Sequence, residues 1–294
     1  MAAAAALLLA AGAGLGVPAW AADTQGTEIA RQKWSFSGFL GKYDQAQLQR
    51  GFKVYIEVCA RCHGVKRLAF RNLAQPGGPQ FPEAAVKSLA ADKFKVDAEP
   101  NEQGKVLKRP AILSDYLPSP YRNEQEARAS QAGGALPPDL SLIARARGTE
   151  SHAPFYMMPL VMLRDIAGAY QEGGADYLYA FLTGFKQTPP KWFLDEAKKE
   201  GRKEAVPSGM NFNEAFPGHL TAMPDPFVGA DTKFDDGTPP SPEQYARDVT
   251  AFLAWVANPE LEERKRLGIL VVGYLLITSL LLYFAKKRIW SRVH

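Results

Sequence analysis

Both cysteines of this 294-residue chain fall within seven consecutive residues, Val58-Cys59-Ala60-Arg61-Cys62-His63-Gly64. No other feature restricts the fold as strongly, because Cys-x-x-Cys-His is the attachment signature of a c-type haem. Each thiol adds to one vinyl group of the porphyrin and becomes a thioether. The two-residue gap on a helical turn sets the sulfurs at the separation of those vinyls. His63, next in line, is directed at the iron. A chain built on this motif has to wrap a large, flat, apolar group, and with both thiols used no disulfide remains. Two other readings of the motif are weaker. A thioredoxin-like redox pair needs no adjacent histidine and belongs in a βαβ setting that this sequence lacks. A zinc site needs further ligands, and His152, His219 and His294 are scattered.

The ends of the chain bear on where such a group is attached. Leu267 to Ala285 is a run of 19 residues without a formal charge, long enough to read as one transmembrane helix. Three acids and three bases precede it in Glu260–Arg266. Lys286, Lys287, Arg288 and Arg292 follow it, with Trp290 as an interfacial anchor. The positive-inside rule places that tail, 286–294, in the cytoplasm and the preceding domain outside. Residues 1–21 are an Ala/Leu/Gly stretch ending in Ala19-Trp20-Ala21, the pattern of a signal peptide, although no Lys or Arg precedes the apolar part. Both ends therefore predict an exported domain over 22–266, in keeping with c-type attachment outside the cytoplasm. The net charge of +4 resides wholly in the last 28 residues, so there is no basic domain and no case for nucleic-acid binding.

A haem iron held by His63 needs a sixth ligand or an open position. Met157, Met158 and Met162 lie in an apolar run leading into a helix and read as core or interface gap-fillers. Met210 and His219 are further candidates, with His219 better read as a solvated loop residue. Met223 is preferred. Pro224 and Pro226 hold its strip extended, and its place in the chain is that of the methionine in small c-type cytochromes: helix, CxxCH, Met loop, closing helix. Asp44 can cap the first helix, which carries Leu48, Phe52, Tyr55 and Val58. Ser241-Pro242-Glu243 opens the last one, with Tyr245, Val249, Phe252, Leu253 and Val256 at helical spacing. Period-2 apolar runs are few, so the fold class expected is mainly α: a c-type cytochrome core with long loop insertions plus one C-terminal transmembrane helix.

The stretch Trp34–Gly38, Asp44–His63, Gly134-Ala-Leu-Pro-Pro-Asp-Leu-Ser141, Phe216-Pro-Gly218, Ala222-Met-Pro224 and Asp235-Asp-Gly-Thr-Pro239 resembles the cytochrome c1 family of quinol–cytochrome c reductase (bc1) complexes. The likeness runs from about residue 33 to 292. It implies one covalent haem c on Cys59 and Cys62, with His63 and Met223 as axial ligands. It implies that Arg147 and Tyr177 lie at the haem propionates, that Tyr55 lies against the haem, and that Leu136–Leu140 walls the pocket. It further implies a cytochrome b subunit, a Rieske iron–sulfur donor, a c-type cytochrome acceptor and a dimeric complex in a bacterial inner membrane, with the haem domain periplasmic. The chain itself would be an electron carrier rather than a catalyst. Asp225, Asp231, Asp235 and Asp236 would steer a basic acceptor. Residues 149–175 look like an insertion, and 190–207 like a charged surface helix. Two other functions fit the motif alone: a stand-alone tethered cytochrome, and a haem enzyme or sensor with an open iron position.

Overall fold

The computed structural model describes residues 29–149 and 153–291. The expected signal peptide, His152 and the last three residues of the tail lie outside that range. Helix α1 (Gln45–Glu57) starts where Asp44 accepts the Gln47 N–H at 2.7 Å, a side-chain cap of the expected kind. It delivers the chain into a tight turn at Cys59–Arg61. Four helices follow: α2 (Glu83–Lys93), α3 (Glu124–Ala129), α4 (Ile143–Ala146) and α5 (Met158–Ala167). Then come α6 (Gly173–Thr183), α7 (Lys191–Lys199), α8 (Pro242–Ala257) and α9 (Leu261–Trp290). Strand is confined, among the described residues, to two short antiparallel pairs. β1 (Lys95–Asp97) pairs with β2 (Lys108–Pro110), and β3 (Asn211–Phe212) with β4 (Leu220–Thr221).

Helix α8 is the centre of the molecule. Ser241 caps it and Pro242 occupies its first turn. Eleven of its sixteen residues are buried, so it is covered on nearly every side rather than along one stripe. Helices α1, α4 and α6 pack on it. Leu48, Phe52 and Tyr55 of α1 meet Val249, Phe252 and Trp255 in one cluster, each such burial contributing about 2 kcal/mol. The close α1–α8 crossing depends on Gly51, where a Cβ would stand 2.1 Å from the Asp248 carbonyl oxygen. Charge crosses the same seam. Asp248 is fully buried and accepts from Arg50 Nε at 2.8 Å and from Gln244 at 2.9 Å, so its carboxylate is paired as a buried charge must be. A second buried carboxylate, Asp176 on α6, accepts from the Gln32 N–H, the Trp34 indole and the Tyr170 hydroxyl at 3.0, 2.8 and 2.7 Å. That ties the segment before α1 to α6.

Helix α9 begins six residues before the charge-free run. Its first turns are fastened to the domain: Glu262 accepts from the Tyr43 N–H at 2.9 Å, and Lys265 donates to the Phe36 carbonyl at 2.6 Å. From Leu267 onward its large apolar side chains are exposed. A 30-residue helix is about 45 Å long, enough for a bilayer crossing plus the solvated turns that join it to the domain.

Candidate haem site

The motif turn is closed by its own backbone: the N–H groups of Cys62 and His63 both donate to the Cys59 carbonyl, at 3.1 and 2.9 Å. Both thiols are free and half-buried. Burial and the neighbouring Cys62 sulfur push the Cys59 thiol up to about 12. The Tyr55 hydroxyl, buried against the Phe252 ring, donates to the His63 carbonyl at 3.1 Å. Tyr55 thus supports the motif turn directly.

His63 Nδ1 lies 2.8 Å from the Pro138 carbonyl oxygen. A carbonyl can only accept, so Nδ1 carries the proton and Nε2 keeps its lone pair. Burial lowers the imidazole pKa against the opposing pull of the Pro138 carbonyl and Asp139, which favours the neutral, ligating form. The segment around Pro138 is itself clipped to the motif. The Leu140 N–H donates to the Gly64 carbonyl at 2.8 Å, Asp139 accepts from the Lys66 N–H at 3.0 Å, and Ser141 Oγ accepts from the Arg67 N–H at 3.1 Å. Leu136–Leu140 was expected only as a rigid wall. It also orients the histidine, a role carried by a backbone carbonyl and therefore without a side-chain signature. Replacing Asp139 by alanine frees the Lys66 and Ser141 amides. We expect it to cost about 1–2 kcal/mol, read as a fall of several degrees in the melting temperature.

Met223 is half-buried and packed on the core, as is Cys59. Its loop is fixed on both sides. The Met223 N–H donates to Thr221 Oγ1 at 3.2 Å, next to the β3–β4 pair, and Asp225 accepts from the Phe227 N–H at 3.0 Å. Arg147 follows α4 with an exposed side chain. It is near enough to Tyr177 on α6 to lower that hydroxyl's pKa against the larger, raising effect of burial.

The donor chemistry fits a covalently held porphyrin: two free thiols on one turn, an imidazole with Nε2 unprotonated, and a thioether on a braced loop. Other candidates fare differently. His219 is not the solvated residue expected. Its ring is half-buried among Phe212, Trp192 and Phe193, with centroids 5.8, 5.0 and 6.1 Å away, and Nδ1 lies 3.3 Å from the Asn213 carbonyl oxygen. It packs a turn, so His219→Gln should leave the haem absorption spectrum unchanged while lowering thermal stability. The core reading of the Met157–Met162 run is also overturned. Met157 and Met162 are 41% and 59% exposed, because α5 stands off the core and buries no residue. Of the four acids near the Met loop, Asp235 pairs with Lys53 at 3.1 Å, Asp236 with Arg50 at 2.6 Å and Asp231 with Lys233 at 3.9 Å. The charged stretch after residue 190 does contain a helix, α7, which is anchored by buried Phe193 and Ala197.

Known proteins resemble this chain over most of its length. The model of the Cytochrome C1 family matches residues 34–293. "Cytochrome c1" of Rhodospirillum rubrum is 38% identical over 276 residues, covering 92% of this chain and 91% of that protein. "Cytochrome c1, heme protein, mitochondrial" of Saccharomyces cerevisiae is 39% identical over 275 residues, 94% of this chain and 76% of that one. "Cytochrome b/c1" of Bradyrhizobium diazoefficiens is 45% identical over 262 residues. Those residues are 89% of this chain but 35% of that longer protein, so the chain spans about a third of it.

Proposed function

The chain belongs to the cytochrome c1 family, the haem subunits of bc1 complexes in electron transport, and from that we propose that it accepts single electrons from a Rieske iron–sulfur subunit and passes them to a c-type cytochrome. Family members carry covalently bound haem c, which supplies a reversible one-electron change at iron. Cys59 and Cys62 are our choice for the thioether bonds, with His63 and Met223 as the axial ligands. The single observation that carries this assignment is the 2.8 Å contact between His63 Nδ1 and the Pro138 carbonyl, which leaves the Nε2 lone pair free to bind a metal. Thioether ligation opposite histidine favours a high potential. His63 and Met223, each on a segment braced by hydrogen bonds, would hold the iron with little rearrangement on electron transfer. Arg147, just after α4, and its neighbour Tyr177 on α6 are assigned to the propionates, where a guanidinium can bind a carboxylate with two parallel hydrogen bonds.

The protein is membrane-anchored. Our reading of its topology is a cleaved leader over 1–21, a periplasmic haem domain over 22–266, one span over 267–285 and a cytoplasmic tail. The span would pack against cytochrome b in a dimeric complex. The test is quinol-driven reduction in the purified complex before and after removal of the Rieske cluster. This reading expects the c-type haem to stop reducing while b-type haem still reduces. Undiminished c-haem reduction would overturn the proposed donor. Purification free of b-type haem and iron–sulfur protein would instead indicate a stand-alone cytochrome, and ready carbon monoxide binding an open-iron protein.

A further inference from the structure

Helix α5 has its amphipathicity reversed. Met158, Val161 and Asp165, spaced three and four apart, form its half-buried side. The opposite side presents Leu160, Leu163 and Ile166 at 62, 62 and 67% exposure, with Met162 beside them at 59%. Phe155 and Tyr156, just before the helix, are 92% and 78% exposed. Between Ala153 and Ala169 the only charged residues are Arg164 and Asp165. Asp165 faces inward, held by Arg31 at 2.8 Å. A contiguous apolar surface of this kind marks a contact site. Nothing in this chain's described residues covers it.

Its position says what does. After α5, the Tyr170 ring lies under the Arg31 guanidinium at 3.7 Å, and Gln171 Oε1 accepts from Arg264 Nη2 at 3.0 Å. Arg264 stands three residues before Leu267, where the charge-free run of α9 begins, a rise of about 4.5 Å along the helix. The end of α5 is therefore pinned at the level where the anchor enters the bilayer. We propose that α5 with Phe155 and Tyr156 is an interfacial membrane foot, lying on the outer leaflet with its apolar side among the upper acyl chains. Each feature has a place there. Tyr156 has the amphipathic ring suited to headgroup depth, and Phe155 is an apolar ring suited to the acyl boundary. Arg164, at the edge of the apolar side, is 62% exposed and only loosely paired with Asp165 at 3.3 Å, so it can turn up to phosphates, and the apolar side supplies the burial that drives insertion without a basic patch. The foot would give the haem domain a second point of attachment besides α9 and so restrict its tilt on the membrane.

The inference rests on α9 lying in a membrane, and the test checks that separately. Photoreactive p-benzoylphenylalanine is introduced in turn at Phe155, Leu163, Ile277 and Lys198 of the full chain, in the complex reconstituted in phosphatidylcholine–phosphatidylglycerol vesicles. After irradiation, peptides are analysed by mass. The proposal expects phospholipid adducts at Phe155 and Leu163 as at Ile277 in the anchor, and none at Lys198 on α7. Adducts to another polypeptide at Phe155 and Leu163 would overturn it in favour of a subunit contact. Lipid adducts at Ile277 alone would overturn it while leaving the anchor intact. A Leu160→Glu/Leu163→Glu variant provides a second reading. Its haem spectrum should be unchanged, while protease cleavage of the 153–170 segment on vesicles should rise at least several-fold. Unchanged cleavage would count against the foot.

Discussion

Met223→Leu is expected to leave the haem attached but to convert it from a six-coordinate, low-spin centre into one that binds carbon monoxide. Leucine keeps the apolar volume and removes only the sulfur, so the β3–β4 pair and the Thr221 contact that brace the loop remain. Losing the thioether also lowers the reduction potential. For one electron, each 59 mV is a tenfold change in the transfer equilibrium, so a drop of ~120 mV would disfavour reduction by the proposed donor ~100-fold. Visible spectra of the reduced variant with and without carbon monoxide, together with a redox titration, check this. A variant that stays low-spin and does not bind carbon monoxide would remove Met223 as the ligand and return attention to Met210, which lies in the turn before β3.

The second large effect lies away from the iron. Gly51→Ala should destabilise the protein by about 2–3 kcal/mol, although alanine is the better helix former by up to ~1 kcal/mol. The two considerations have opposite signs, so the result decides between them. At Gly51 a Cβ would lie 2.1 Å from the Asp248 carbonyl oxygen and 2.7 Å from Phe252 Cβ. Both belong to the α8 helix body and cannot swing aside, so α1 has to move off α8. Because α1 leads into Cys59, the same shift should weaken haem retention. Gly148→Ala is the control, since nothing lies within 4 Å of a Cβ there. Thermal melts of the two variants should differ by several degrees. Equal melting temperatures would mean that the α1–α8 seam is not the structural keystone described above.

Much of this architecture is legible in the sequence. The caps at Asp44 and Ser241 lie where short polar side chains precede apolar helical spacing, and both helices form with those caps. The 19-residue apolar run announced α9. What the sequence could not show was contact made through backbone atoms. The Pro138 carbonyl that orients His63 has no residue-type signal, and neither does the helix crossing at Gly51, one of 25 glycines. His219 reads as a solvated loop residue because the rings that surround it come from α7 and β3 and meet it only in three dimensions. Hydrophobicity alone reads Met157, Met158 and Met162 as core or interface gap-fillers. Apolar side chains at helical spacing look alike whether they face protein or membrane, and the half-buried Met158 and Val161 with the Arg31–Asp165 pair show which side of α5 turns inward.

The central claim is a porphyrin bonded through Cys59 and Cys62. Acid–acetone extraction of the purified protein, followed by peptide mass mapping, tests it most directly. The account predicts that the colour stays with the polypeptide and maps to the peptide containing both cysteines and His63. Colour released into the solvent, with both thiols recovered free, would contradict it.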